Sequence, residues 1–152
     1  MKSLKILIIL ILTLLYGCGY NPINQISDKQ VSITKYSLNG NSEINRYLKL
    51  NFDRFKKTVN TTRNLEVIGS SKITKSITSK NSSGEATGYE MQIEISIIVN
   101  ENGKELISNI YKKDTSYSNL ASKFELKQYE KILIKDLVKD IILEINNNLA
   151  MI

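Results

Sequence analysis

From Tyr89 to Val99 the side chains Tyr89, Met91, Ile93, Ile95, Ile97 and Val99 alternate with Glu90, Gln92, Glu94 and Ser96. A β-strand sends successive side chains to opposite faces, so this stretch makes a strand with one apolar face and one wet face. An apolar sheet face must be covered, and whatever covers it has to come from elsewhere in the chain. Two segments have the right periodicity. Ile44, Leu48, Phe52, Phe55 and Val59 recur at spacings of four, four, three and four, which predicts an amphipathic helix capped near Ser42. Leu126, Tyr129, Leu133, Leu137, Ile141, Ile145 and Leu149 recur in the same way behind a Ser122/Glu125 capping box, predicting a long terminal helix.

The remaining apolar stretches read as strands. Gln30 to Leu38 carries Val31, Ile33, Thr34 and Tyr36 and stops at Asn39-Gly40. After a polar Asn60 to Asn64 turn, Leu65 to Ser79 favours extended structure, with a bulge expected where alternation lapses between Gly69 and Lys72. Lys80 to Gly88 is a Ser/Asn/Gly-rich hairpin tip. Asn102-Gly103 then signals a tight turn into a fourth strand, Lys104 to Thr115, antiparallel to the third. The expected fold is α+β: two helices packed on one face of a four-stranded mixed sheet, in the order β-α-β-β-β-α. With two helices to cover it, the apolar face is expected to form a core and not an open lipid groove.

The N-terminus does not belong to this pattern. Lys2 and Lys5 precede an apolar run from Ile6 to Leu15 broken only by Thr13, and the run ends at Gly17-Cys18-Gly19. A membrane span takes about 20 apolar residues, so the shorter run reads as a signal peptide of residues 1–17. Leu15-Tyr16-Gly17-Cys18 is similar to the bacterial lipobox, with Leu15 and Gly17 in place and a bulky Tyr16 departing from it. That similarity implies cleavage before Cys18 and lipid on its thiol and new amino group; two or more acyl chains give stable anchoring. Cys18 is the only cysteine, and lipidation removes what would be a lone thiol in an oxidising compartment. Residues 18–29, with Pro22, read as a lipidated leash, and residues 30–152 as a single domain.

Composition excludes much chemistry. The chain has no His and no Trp, so histidine acid/base catalysis and Ser-His-Asp or Cys-His nucleophile systems are ruled out, and no cysteine or histidine set exists for zinc. Neither GxGxxG nor GxxxxGK[ST] occurs. Glu90 and Glu94 lie four residues apart, which places them on one solvated face of a strand, and they read as surface charge. No enzymatic activity, metal or cofactor beyond the covalent lipid is expected. Without the leader's Lys2 and Lys5, 19 basic residues face 15 acidic ones, a net charge of +4. The lysines are scattered, which argues against nucleic acid as a partner.

Two stretches resemble the LptE family of outer-membrane lipopolysaccharide-assembly lipoproteins. Gly17-Cys18-Gly19-Tyr20-Asn21-Pro22-Ile23 is similar to that family's lipidated cysteine followed by Gly, an aromatic residue and Pro. Thr115-Ser116-Tyr117-Ser118-Asn119, leading through Ala121-Ser122-Lys123-Phe124, looks like its Tyr-containing approach to the last helix. The resemblance implies a lipid-anchored protein on the periplasmic side of the outer membrane that plugs the barrel of an LptD-like partner, supports its assembly and meets lipopolysaccharide. No motif transfers the family's lipid-contacting residues. Lys75, Lys80, Lys112 and Lys113 are candidates by charge and position, although for any one of them an ordinary solvated lysine is the commoner case. The competing expectation is a free-standing periplasmic lipid-binding or transporter-accessory lipoprotein.

Overall fold

The computed structural model describes residues 31–56 and 63–152. The leader, Cys18, the leash, Gln30, Val59 and most of the expected Asn60–Asn64 turn lie outside the described residues. The elements run β1 (Val31–Gly40), α1 (Ser42–Phe55), β2 (Arg63–Lys80), β3 (Ala86–Glu101), β4 (Lys104–Ser118) and α2 (Lys123–Ala150). The sheet has the order β1-β2-β3-β4; β1 lies parallel to β2, and the two hairpin pairs are antiparallel. This is the expected α+β arrangement, with a mixed sheet because α1 carries the chain back to start β2 beside β1.

The alternation of β3 governs the packing. Met91, Ile93, Ile95, Ile97 and Val99 are buried, and β2 and β1 add Leu65, Val67, Val31 and Ile33 to the same face. Ile44, Leu48, Phe52 and Phe55 of α1 and Ile134, Val138, Ile141, Ile145 and Leu149 of α2 close over it in one cluster. Each fully buried branched or aromatic side chain contributes roughly 1.5–3 kcal/mol relative to exposure, so this layer is the main source of stability. The C-terminal half of the expected α2 stripe, Ile141, Ile145 and Leu149, is buried; ahead of it Ile134 and Val138 occupy the core, Leu126, Leu133 and Leu137 are half-buried, and Tyr129 is exposed. The helix carries apolar residues around much of its circumference, so spacing alone did not fix which ones face inward.

Several further expectations need correction, among them the hairpin tip, which narrows because Lys80 ends β2 and Ala86 to Gly88 already belong to β3. No bulge interrupts β2 between Gly69 and Lys72; its register with β3 runs unbroken from Leu65 through Ile77, and the irregularities fall near Ser79. Alternation lapses there for another reason. Gly40 has φ +96, and a Cβ on it would stand 2.0 Å from the Ser71 carbonyl oxygen, so backbone meets backbone at this point. Buried Ser71 donates to Asn45 Oδ1 at 2.7 Å and its carbonyl accepts the Asn41 N–H at 3.1 Å. A large apolar residue at position 71 would deprive Asn45 Oδ1 of the Ser71 hydroxyl.

The cap of α1, expected near Ser42, is Asn41: its Oδ1 accepts from the N–H groups of Glu43 and Ile44 at 3.0 and 3.1 Å. Arg63 and Asn64, expected in a turn, already belong to β2. β4 runs past Thr115 to Ser118, which makes Tyr117 a buried strand residue and leaves only residues 119–122 as the approach to α2. The β3–β4 hairpin is as expected, with positive φ at both Asn102 and Gly103 matching a turn whose twist suits the strands. Ser122 caps α2, accepting from the Glu125 N–H at 3.3 Å.

Candidate interaction surface

Both helices pack on the same side of the sheet, so among the described residues no element covers the other side. Register lays out that open face row by row. Lys72, Glu94 and Lys112 line up across β2, β3 and β4; one row on are Ser70, Ser96 and Ile110, and beyond them Ile68, Ile98 and Ser108. In the opposite direction come Thr74, Gln92 and Asp114, then Ser76, Glu90 and Ser116. The Lys112 ammonium donates to Glu94 at 2.8 Å. That hydrogen bond, reinforced by the charges of Lys112 and Lys72, holds the Glu94 carboxyl below its usual range. Ile110 and Ile68, 63% and 46% exposed, give the face a small apolar element among hydroxyls and amides. The surface is polar and broad, and its central row of two lysines and one glutamate carries one net positive charge.

The four lysines singled out by charge are not brought together. Lys75 pairs in register with buried Met91, so it stands on the helix side of the sheet, where its ammonium sits 4.1 Å from the centre of the Tyr89 ring. It ion-pairs with Glu130 of α2. The same carboxylate accepts the Tyr117 hydroxyl at 2.7 Å. Burial, then that hydrogen bond and the adjacent negative charge, push the Tyr117 phenol well above its ordinary value. Lys113 also faces the helices and ion-pairs with Glu144 of α2, which raises the Lys113 ammonium above its usual value through a hydrogen bond and charge. Lys112 lies on the open face with Glu94.

Only Lys80 stands at the β2–β3 tip, exposed and without an ion pair among the described residues. The tip it adjoins is well ordered: Asn81 Oδ1 accepts from the N–H groups of Ser83 and Glu85, and Gly84 takes φ +83. Sequence reasoning missed the Lys72–Glu94–Lys112 row because it joins residues on three strands, although the alternation of β3 already placed Glu94 on the wet side.

Among the described residues, no three Asp, Glu, His or Cys side chains converge as a metal site. No helix of the described residues is long and apolar enough to cross a membrane.

The fold is that of small bacterial lipoproteins. A rare lipoprotein B from Shewanella oneidensis superposes with a TM-score of 0.55 at 18% identity, over 77% of this chain and 94% of that one. A lipoprotein B from Nitrosomonas europaea gives 0.54 at 17% identity, over 85% and 88% of the two chains. A minor lipoprotein from Acinetobacter baumannii gives 0.52 at 15% identity, over 78% and 94%. At these identities the likeness is one of fold. No protein-family model matches the chain, and no curated protein matches it.

Proposed function

We propose that the chain is an outer-membrane lipoprotein, anchored through lipid on Cys18, that plugs the lumen of an LptD-like barrel and supports its assembly for lipopolysaccharide insertion. The observation that carries this reading is the open sheet face. It is a surface of hydroxyls, amides and a Lys72–Glu94–Lys112 row in which Glu94 offsets one of the two lysines, left open by helices that pack only on the other side. The lumen of a large outer-membrane barrel is likewise polar, and a plug that fits it must present such a surface.

Sharing a fold with lipoproteins of the rare lipoprotein B type supports the lipoprotein part of the reading, as does the lipobox-like Leu15-Tyr16-Gly17-Cys18. The role is binding without catalysis. If lipopolysaccharide is contacted, Lys80 is the best placed of the four lysines, because Lys75, Lys112 and Lys113 already face carboxylates. The test is affinity isolation of the tagged full chain after gentle solubilisation. Recovery of a large β-barrel protein is expected; consistent recovery of the chain alone would reject the plug reading.

A further inference from the structure

The outer side of the helix layer differs in character from the sheet. α1 and α2 run side by side, joined at one end by the Asn51 and Asn146 amides, whose Nδ2 and Oδ1 atoms exchange hydrogen bonds at 2.8 and 3.2 Å. Along the seam between them lie two shallow troughs of about 550 and 300 Å³ that share Tyr47 and Lys135 and so form one continuous groove.

Its cations come in matched stripes. Arg46 and Arg54 lie eight residues apart on α1 with Leu50 midway, and Lys131, Lys135 and Lys139 recur every four residues on α2. At 1.5 Å per residue each stripe is about 12 Å long. Leu50 and Ile132 stand among these charges, 58% and 54% exposed.

None of the five cations has an ion pair among the described residues, and Glu43 is the one carboxylate on the groove wall. Two acids of α2 are engaged elsewhere: Glu130 and Glu144 turn toward the sheet to meet Lys75 and Lys113. Asp136 and Asp140 are exposed on the same helix but are not part of the groove wall. Five unbalanced cations interleaved with exposed aliphatic side chains are the makings of an interfacial surface, in which basic groups meet lipid phosphates and aliphatic ones enter the headgroup boundary.

We propose that the α1/α2 face docks on an acidic phospholipid bilayer, laying the domain helix-side down on the membrane when it is not held in a barrel. Charge complementarity selects this occupant, and the exposed Leu50 and Ile132 favour lipid over an acidic polypeptide. The proposal rests on the tethered-lipoprotein reading only for bringing a bilayer within reach. It leaves the open sheet face turned away from the lipid.

The test is a lysine footprint. The full chain is reconstituted in vesicles of phosphatidylcholine alone or with roughly a third phosphatidylglycerol, pulsed with an amine acetylating reagent and read by mass spectrometry. Lys131, Lys135 and Lys139 are expected to be at least about threefold less reactive on the acidic vesicles, with protection lost at about 0.5 M salt as screening shortens the reach of charge. Lys72 and Lys112 of the sheet face serve as controls and are expected not to change. An Arg46→Glu/Arg54→Glu variant, altered at two exposed positions, should lose the protection while retaining its far-ultraviolet spectrum.

Equal reactivity of the three lysines on both vesicles would overturn the proposal, as would equal protection of both faces. So would the same protection by soluble polyglutamate without lipid, which would make the groove an acidic-polypeptide site. Flotation of the chain with neutral vesicles at high salt reports the anchor separately, so a failed footprint and a failed tether are distinguishable.

Discussion

Gly40 offers a sharp test of how β1, α1 and β2 are joined. Replacing it with alanine has two costs that the structure separates. The first is conformational: φ +96 is unfavourable for an L-residue and costs about 1–2 kcal/mol. The second is contact. The new Cβ would stand 2.0 Å from the Ser71 carbonyl oxygen and 2.9 Å from its carbon, and both neighbours are backbone. Relief requires β1 to withdraw from β2, which breaks the Asn41 N–H to Ser71 carbonyl bond and disturbs the Ser71 hydroxyl that donates to Asn45. At roughly 1 kcal/mol for each hydrogen bond lost, the total reaches about 3–4 kcal/mol.

Gly84→Ala is the control. Gly84 has φ +83 and nothing within 4 Å of where its Cβ would be, so only the conformational cost applies, about 1–2 kcal/mol. Urea unfolding of the two variants, analysed with a common slope, should show Gly40→Ala losing at least about 2 kcal/mol more than Gly84→Ala. Equal losses would refute the claim that backbone contact at this junction is what demands glycine.

Other predictions concern charge. The Tyr117 phenol is raised in the folded chain, so it favours the fold while neutral; that contribution is complete below the ordinary tyrosine value near 10 and falls as pH climbs above it. Tyr117→Phe should flatten the alkaline loss of stability in chemical unfolding measured from neutral pH upward, and an unchanged slope would contradict the assignment. Glu101 receives Arg63 through two contacts of 2.7 Å, which hold its carboxyl below the usual range. Its contribution is present above the ordinary carboxylate value and is lost as pH falls through the lowered one, so Glu101→Gln should reduce the acid sensitivity of the transition. Ile95→Ala, at the centre of β3 and fully buried, should cost about 2–5 kcal/mol in the same unfolding assay. A loss below 1 kcal/mol there would mean that the β3 face is not the core.

The layers of the fold were legible because local patterns and long-range packing agree in them. β3 alternates cleanly, Asn102-Gly103 is a turn sequence with few other uses, and α1 has a single apolar stripe. Where residues answer to distant partners, local reading failed. Ser71 turns inward because Gly40 and Asn41 meet it from 30 residues away in sequence, and that looked like a bulge. Lys75 and Lys113 look like surface lysines and are in fact spent on Glu130 and Glu144 of α2. Asn41 and Ser42 are both good caps, and Asn41 takes the role because its backbone is extended while Ser42 is already helical, which puts the Asn41 Oδ1 on the N–H groups of Glu43 and Ile44. Lys131, Lys135 and Lys139 repeat at i, i+4 and i+8, yet in the sequence they pass for scattered surface charge, because their lack of acidic partners appears only when both helices are seen together.

The plug reading turns on which surface meets the barrel. A photoreactive residue at Ser96, in the middle of the open sheet face, can be compared in cells with one at Ser108 on the same face and one at Leu143 on the outer side of α2. The account predicts that the two sheet positions crosslink to one large β-barrel protein and that Leu143 does not. Crosslinks to such a protein from Leu143 alone, or from none of the three positions, would contradict it.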